Sequence, residues 1–227
     1  MTTEASPSYL DAPQANQAYA LLQRAAQNSL EGVVGQPVTA TVQGRRATSV
    51  HDVAQSTKNV LIELQFERPS DVHHSVAVLS DGNDLIQMFA LAGPDAGGEI
   101  LGAESLLSLG DIVSTILDTL TSELTWLTPT ARAWLANLEP VAADADGTTH
   151  VELPAMVAKE SPLYLADVSL ASSSGAVCAL QLVFSEQTEQ ALLGMDSLDD
   201  ASTLHDAAVD DWIPAMDASI GGAPPDG

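Results

Sequence analysis

The chain has 227 residues, 45% hydrophobic and 17% charged, long enough for one medium-sized core or a core with a tail. Seven basic against 31 acidic residues give a formal charge of -24, a surface that repels phosphate backbones and anionic lipid. Nucleic acid and membrane surfaces are therefore excluded as expected partners.

The start, MTTEASPSYLD, has neither the basic nor the apolar region of a secretory signal, and no stretch approaches the roughly 18 apolar residues of a membrane span. The expectation is a soluble, cytoplasmic protein. Residues 1–16 read as a flexible leader. In QAYALLQRAAQNSLEGVV (17–34), Leu21, Leu22, Ala25, Leu30 and Val33 fall near one stripe at helical spacing, and Gly35 and Pro37 stop the helix. PVTATVQ is a β-branched strand. NVLIELQFE alternates, with Val60, Ile62, Leu64 and Phe66 on one side and Glu63, Gln65 and Glu67 on the other, the mark of a sheet with one buried face. RPSD turns the chain into HSVAVLS, and DGNDLIQMFALAG reads as a short helix closed by Gly93.

After the Gly-rich connection GPDAGGEILG, residues 105–127 predict a long amphipathic helix. Leu109, Ile112, Val113, Ile116, Leu117, Leu120 and Leu124 make its apolar face, and Pro129 ends it. ARAWLANLEPV is a strand, AADADGTT a loop, and PLYLADVSL, SSSG and AVCALQLVF a second hairpin leading into helical SEQTEQALLG. Cys178, the single cysteine, excludes an internal disulfide; within AVCALQLVF it reads as a buried, inert thiol.

Residues 17–93 and 105–194 thus repeat one order: helix, strand, strand, strand, short helix. The match is clearest between SVAVLSDGNDLIQMF and LQLVFSEQTEQALL, where Ser80 and Ser185 each precede a short acidic helix as its cap. The period suits a duplicated half-domain. The expected fold is α/β (α+β): a pseudo-symmetric, mostly antiparallel sheet, with two long helices packed on one face of a domain spanning 17–195. Residues 196–227 contain no Lys or Arg and read as a mostly disordered acidic tail, with STLHDAAVDDWIPAM able to form a short helix exposing Leu204, Val209 and Trp212.

Standard catalytic signatures are missing from the sequence: G-x-S-x-G, H-E-x-x-H, paired C-x-x-C and GK[ST] do not occur. Asp144, Asp146, His150 and Glu152 gather in DADGTTHVE without calcium-loop spacing, and His73 and His74 beside a predicted turn read as solvated imidazoles. No metal site and no resident cofactor are expected. On the long helix, Asp111, Ser114, Asp118 and Ser122 follow i, i+3, i+7 and i+11, one polar strip opposite the Leu/Ile face. By spacing alone this is a solvated surface.

The order of elements, with LLQRAAQNSLEGVVGQPVTATV, VHHSVAVLSDGNDLIQMF, SLGDIVSTIL and GAVCALQLVFSEQTEQALLG, resembles the CheC/CheX/FliY family of chemotaxis phosphatases and flagellar-switch proteins over residues 17–195. That family carries E-x-x-N in a G-E-I-x-N-type run on a long helix, and G-D-I-V-S at Gly110–Ser114 falls on it. The chain is most similar to CheX-like members, which have the motif on the second long helix only; the first helix here offers Ala25 and Asn28, with no acid. The resemblance implies a phosphorylated receiver domain of CheY type as partner, whose own Mg would be the only metal involved. The family's acid pairs with a receiver lysine and its amide orients a water onto the aspartyl phosphate. Asp111 and Ser114 would take these roles with a shorter acid and a hydroxyl for the amide, implying weak or lost phosphatase activity. Asp118 and Ser122 would extend the partner-binding strip. The alternative is a non-catalytic flagellar-switch or assembly adaptor resembling the FliY/FliM middle domain, and beyond it a generic acidic α/β domain.

Overall fold

The structure is a computed structural model that describes residues 13–67, 73–92, 101–123, 132–141 and 149–192. The chain runs α1 (Pro13–Val34), β1 (Val38–Thr48), α2 (Val50–Ala54), β2 (Val60–Glu67), β3 (His73–Ser80) and α3 (Gly82–Phe89). It continues as α4 (Ala103–Glu123), β4 (Arg132–Pro140), α5 (Ala155–Lys159), β5 (Leu163–Ser172), β6 (Val177–Ser185) and α6 (Glu186–Leu192). Each half therefore holds one element beyond the expected order, the five-residue helices α2 and α5. The acidic tail, Gly93, Pro129, Asp144 and Asp146 lie outside the described residues, and α1 begins at Pro13, inside the expected leader.

The six strands form one antiparallel sheet in the order β1-β5-β6-β3-β2-β4. Exchanging β1 with β4, β2 with β5 and β3 with β6 returns the same order reversed, so a pseudo-twofold axis passes between β3 and β6. Residue register agrees. The offset that carries Ser80 onto Ser185 carries Ala77 onto Leu182 and Val78 onto Val183, and the central pairs Ala77–Val183 and Val78–Leu182 exchange. Both edge strands bulge: β1 has an extra residue between Val42 and Gly44, and β4 has Ala136 extra between Leu135 and Asn137. Bulges twist an edge, and Pro140 removes a donor from β4; both discourage further pairing.

α1 and α4 lie side by side on one sheet face, as the pattern predicts, with α1 against β1 and α4 against β4. Leu30, Leu109, Val38, Val60, Ile62, Val78 and Phe184 belong to the core on this side. The opposite face is not uniformly open. Val53 of α2, Val157 of α5, Val151 and Leu153 cover Leu61, Ala77, Leu79, Leu165 and Val183, so the inner strands are buried on both sides. This corrects the single buried face read from β2, whose Leu61 fell outside the alternating count.

Two caps also differ from expectation. Ser185 accepts from the amide of Thr188 and caps α6, but α3 is capped by Asp81, whose carboxylate accepts from the Asn83 amide. Ser80 is fully buried against Cys178 instead. α3 closes at Ala90, which takes a left-handed conformation (φ 51°), before Gly93 is reached. His74 is buried and stacked on Phe66 with ring centroids 5.1 Å apart, so only His73, edge-on to Trp134, matches the solvated reading. Cys178 is buried as expected, and loss of hydration pushes its thiol up to about 11.

Candidate functional site

α4 forms because its apolar residues recur every three or four positions and the sheet covers them. Leu109 and Leu117 are buried, while Leu106, Val113 and Ile116 pack against the same core. α4 packs on β4 at Gly110, where an added Cβ would meet Leu135 and Leu138 at ordinary contact distances of 3.7 and 3.9 Å. Ser105 ties the start of the helix down by donating to the carbonyl of Ala92 at 3.0 Å. The helix is thereby held by its inner face and leaves one face to water.

Asp111, Ser114, Asp118 and Ser122 all lie on that outer face and all are exposed. Side chains three or four positions apart on a helix have Cβ atoms about 5–6 Å apart, close enough for Asp111 and Ser114 to act on one incoming group. Among the described residues, neither the Asp111 carboxylate nor the Ser114 hydroxyl has a hydrogen-bond or ion-pair partner. Three neighbouring hydroxyls are engaged. Thr115 donates to the carbonyl of Asp111, Thr119 to that of Thr115, and Ser122 to that of Thr119, at 2.8–2.9 Å. Ser114 alone among these four hydroxyls is left to meet a partner, whereas the proton of Ser122 is already committed.

Among the described residues, no cleft is seen at the pair. The shallow depression lined by His150, Val151, Glu152, Leu153 and Lys159 belongs to the opposite layer, with α2 and α5. A flat helix face cannot exclude water by itself, so chemistry at Asp111 and Ser114 would need a partner to close over them. Among the described residues, no three His, Cys, Asp or Glu side chains converge where a metal ion could bind, and no helix is long and apolar enough to cross a membrane.

The first long helix does not present an equivalent pair. Asn28 is exposed, but Ala25 is 5% exposed and faces the core. One residue of the outer face of α4 escaped the polar-strip pattern. Leu107, one turn before Asp111, is 74% exposed. The sequence signal was its phase: it stands about 200° around the helix from Leu109, off the apolar stripe.

No protein-family model and no curated protein matches the chain. Solved structures do. FliY of Thermotoga maritima superimposes with a TM-score of 0.63 at 12% identity, over 86% of this chain and 98% of that one. The FliM middle domain from H. pylori gives 0.55 at 8% identity, over 84% and 99%. A chain of the FliG–FliM complex from H. pylori gives 0.57 at 8% identity, over 83% and 99%. The chain has the fold that these FliY and FliM structures share.

Proposed function

We propose that the chain is a cytoplasmic chemotaxis or flagellar-motility protein that docks on a phosphorylated CheY-type receiver domain through the outer face of α4, with aspartyl-phosphate phosphatase activity weakened or lost. The observation that carries this reading is the exposed, uncommitted pair Asp111 and Ser114, three residues apart on the second long helix of this fold. On docking, Asp111 pairs with a receiver lysine and Ser114 holds a water in line with the phosphoryl group. The water oxygen attacks phosphorus as the bond to the receiver aspartate breaks, releasing inorganic phosphate. Any Mg in this step belongs to the receiver.

The weakness follows from reach. Aspartate is one methylene shorter than glutamate, and a serine hydroxyl lacks the two-ended geometry of an amide. A misplacement of about 1 Å costs on the order of 10²-fold in rate. The test titrates receiver domains from the same organism, with and without beryllofluoride and Mg, and follows the lifetime of their aspartyl phosphate. Tighter binding of the loaded form with a small change in lifetime is expected, and Asp111→Asn should weaken binding by about 1 kcal/mol. Equal or absent binding of the loaded form sinks the reading. Likeness to FliY and the FliM middle domain supports a second reading, a non-catalytic switch or assembly adaptor, marked by binding to a flagellar-switch protein regardless of phosphorylation.

A further inference from the structure

The outer face of α4 holds more than the pair. Leu107 is the most exposed large hydrophobic side chain among the described residues, 74% against 52% for Val42 and Val177. It shares the face of Asp111, Ser114 and Asp118. Burying it against the sheet is impossible in this helix, because Leu109, Leu117 and their neighbours already occupy the inner side.

The charges around it form a row. Glu104, Asp111 and Asp118 recur every seven residues, all exposed, and α4 contains no Lys or Arg. Seven residues of helix rise about 10 Å. Carboxylates so spaced cannot converge on one metal ion, whose oxygen ligands must sit within about 2.6 Å of it. They match instead a protein surface that offers separate cationic side chains along its length.

We infer that Leu107 anchors a protein-docking surface: it enters an apolar recess of a partner protein whose rim carries lysine or arginine side chains facing Glu104, Asp111 and Asp118. This rests on the receiver reading for the partner's identity, and it adds an anchor and a charge row outside the acid–hydroxyl pair. The apolar anchor supplies most of the affinity once desolvated, while the exposed carboxylates steer association and set its salt dependence.

The test uses the full chain with Leu107→Gln, Leu107→Met and the double variant Glu104→Gln/Asp118→Asn. Glutamine is nearly as good a helix former as leucine, so the melting temperatures should match that of the wild type. Each is titrated against purified receiver domains and flagellar-switch proteins of the same organism, with and without beryllofluoride and Mg, at low and high salt. Leu107→Gln should weaken binding about tenfold or more at every salt concentration, and Leu107→Met should retain it. The double variant should lose most of the salt dependence and associate more slowly. Receiver binding that ignores Leu107→Gln overturns the anchor and leaves the receiver reading standing. A switch protein held in a Leu107-dependent way, with no receiver bound, supports the anchor and overturns the receiver reading. If no protein of the panel binds, both fall.

Discussion

The two halves of the sheet share one topology, yet only the second presents an acid and a hydroxyl on the outer face of its long helix. Where they agree, the reason is packing: the exchangeable pairs Ala77–Val183 and Val78–Leu182 lie at the centre of the sheet, which has a core cluster on each face. Where they differ, the residues are at helix surfaces and sheet corners. α6 is clamped to β1 by Glu189 and Arg45, 2.6 Å apart, with the guanidinium 3.5 Å over the Tyr164 ring. Asp84 stands at the position in α3 that matches Glu189, and its carboxylate turns to the amide of Ala179 instead. The two halves agree where the shared sheet demands it and differ in the side chains that their helices and corners carry.

The strongest way to break this comparison is to build the missing acid into the first half. Ala25→Glu places a carboxylate three residues before Asn28, but the site is buried. Urea unfolding should show a loss of about 3–5 kcal/mol, as for an unpaired charge forced inside. A loss under about 1 kcal/mol means that residue 25 faces water and that the helices are equivalent after all.

Next in size is the corner clamp. Glu189→Ala should cost about 3 kcal/mol by removing one member of a largely buried ion pair, and Arg45→Met with Glu189→Leu should recover most of that. Asp84→Ala, the counterpart, should cost only about 1 kcal/mol, one hydrogen bond. Equal costs at the two corners contradict the asymmetry.

Cys178 sharpens it by titration. The same offset carries His73, which is exposed, onto Cys178, which is buried. The folded protein holds the thiol proton more tightly, with the pKa raised from 9.0 to about 11. Its stabilising contribution is therefore complete below pH 9 and declines as pH rises from 9 through about 11. Cys178→Ala should flatten the alkaline limb of the stability profile over that window, and His73→Ala should leave it alone. An unchanged limb in Cys178→Ala refutes the assignment.

A smaller effect is kinetic. Ser114→Asn, alone or with Asp111→Glu, should speed decay of the receiver aspartyl phosphate about tenfold, roughly 1.4 kcal/mol of barrier, without moving the melting temperature. No change in lifetime from either variant removes catalysis from this face. The smallest effects concern glycine. Gly32 of α1 has open space at its Cβ position and Gly110 of α4 only ordinary contacts, so each change to alanine should stabilise by about 0.5–1 kcal/mol. A destabilised Gly110→Ala would show that α4 tolerates no extra methyl against β4.

Much of the frame was legible along the chain. The strands around Val60–Phe66 and Val177–Phe184, the long helices and the repeat itself follow from period-two and helical spacing, which local sequence records directly. The polar strip of α4 was legible for the same reason. The short helices were harder. Ser49 caps α2, its hydroxyl accepting from the Asp52 amide and donating to the Asp52 carboxylate, whereas α5 has no side-chain cap to announce it.

What tertiary structure alone decided is which surfaces are covered. Spacing cannot tell that α2 and α5 bury Leu61 and Leu79, that Ala25 faces inward, or that His74 lies under Phe66. Nor does it choose between Ser80 and Asp81 as a cap, because burial of Ser80 depends on Cys178, nearly a hundred residues away. Leu107 makes the same point in reverse: an apolar residue ends in water because the inner face of its helix is already filled. Amphipathic pattern is a property of a local segment; burial is a property of its neighbours, and those are brought together only by the sheet.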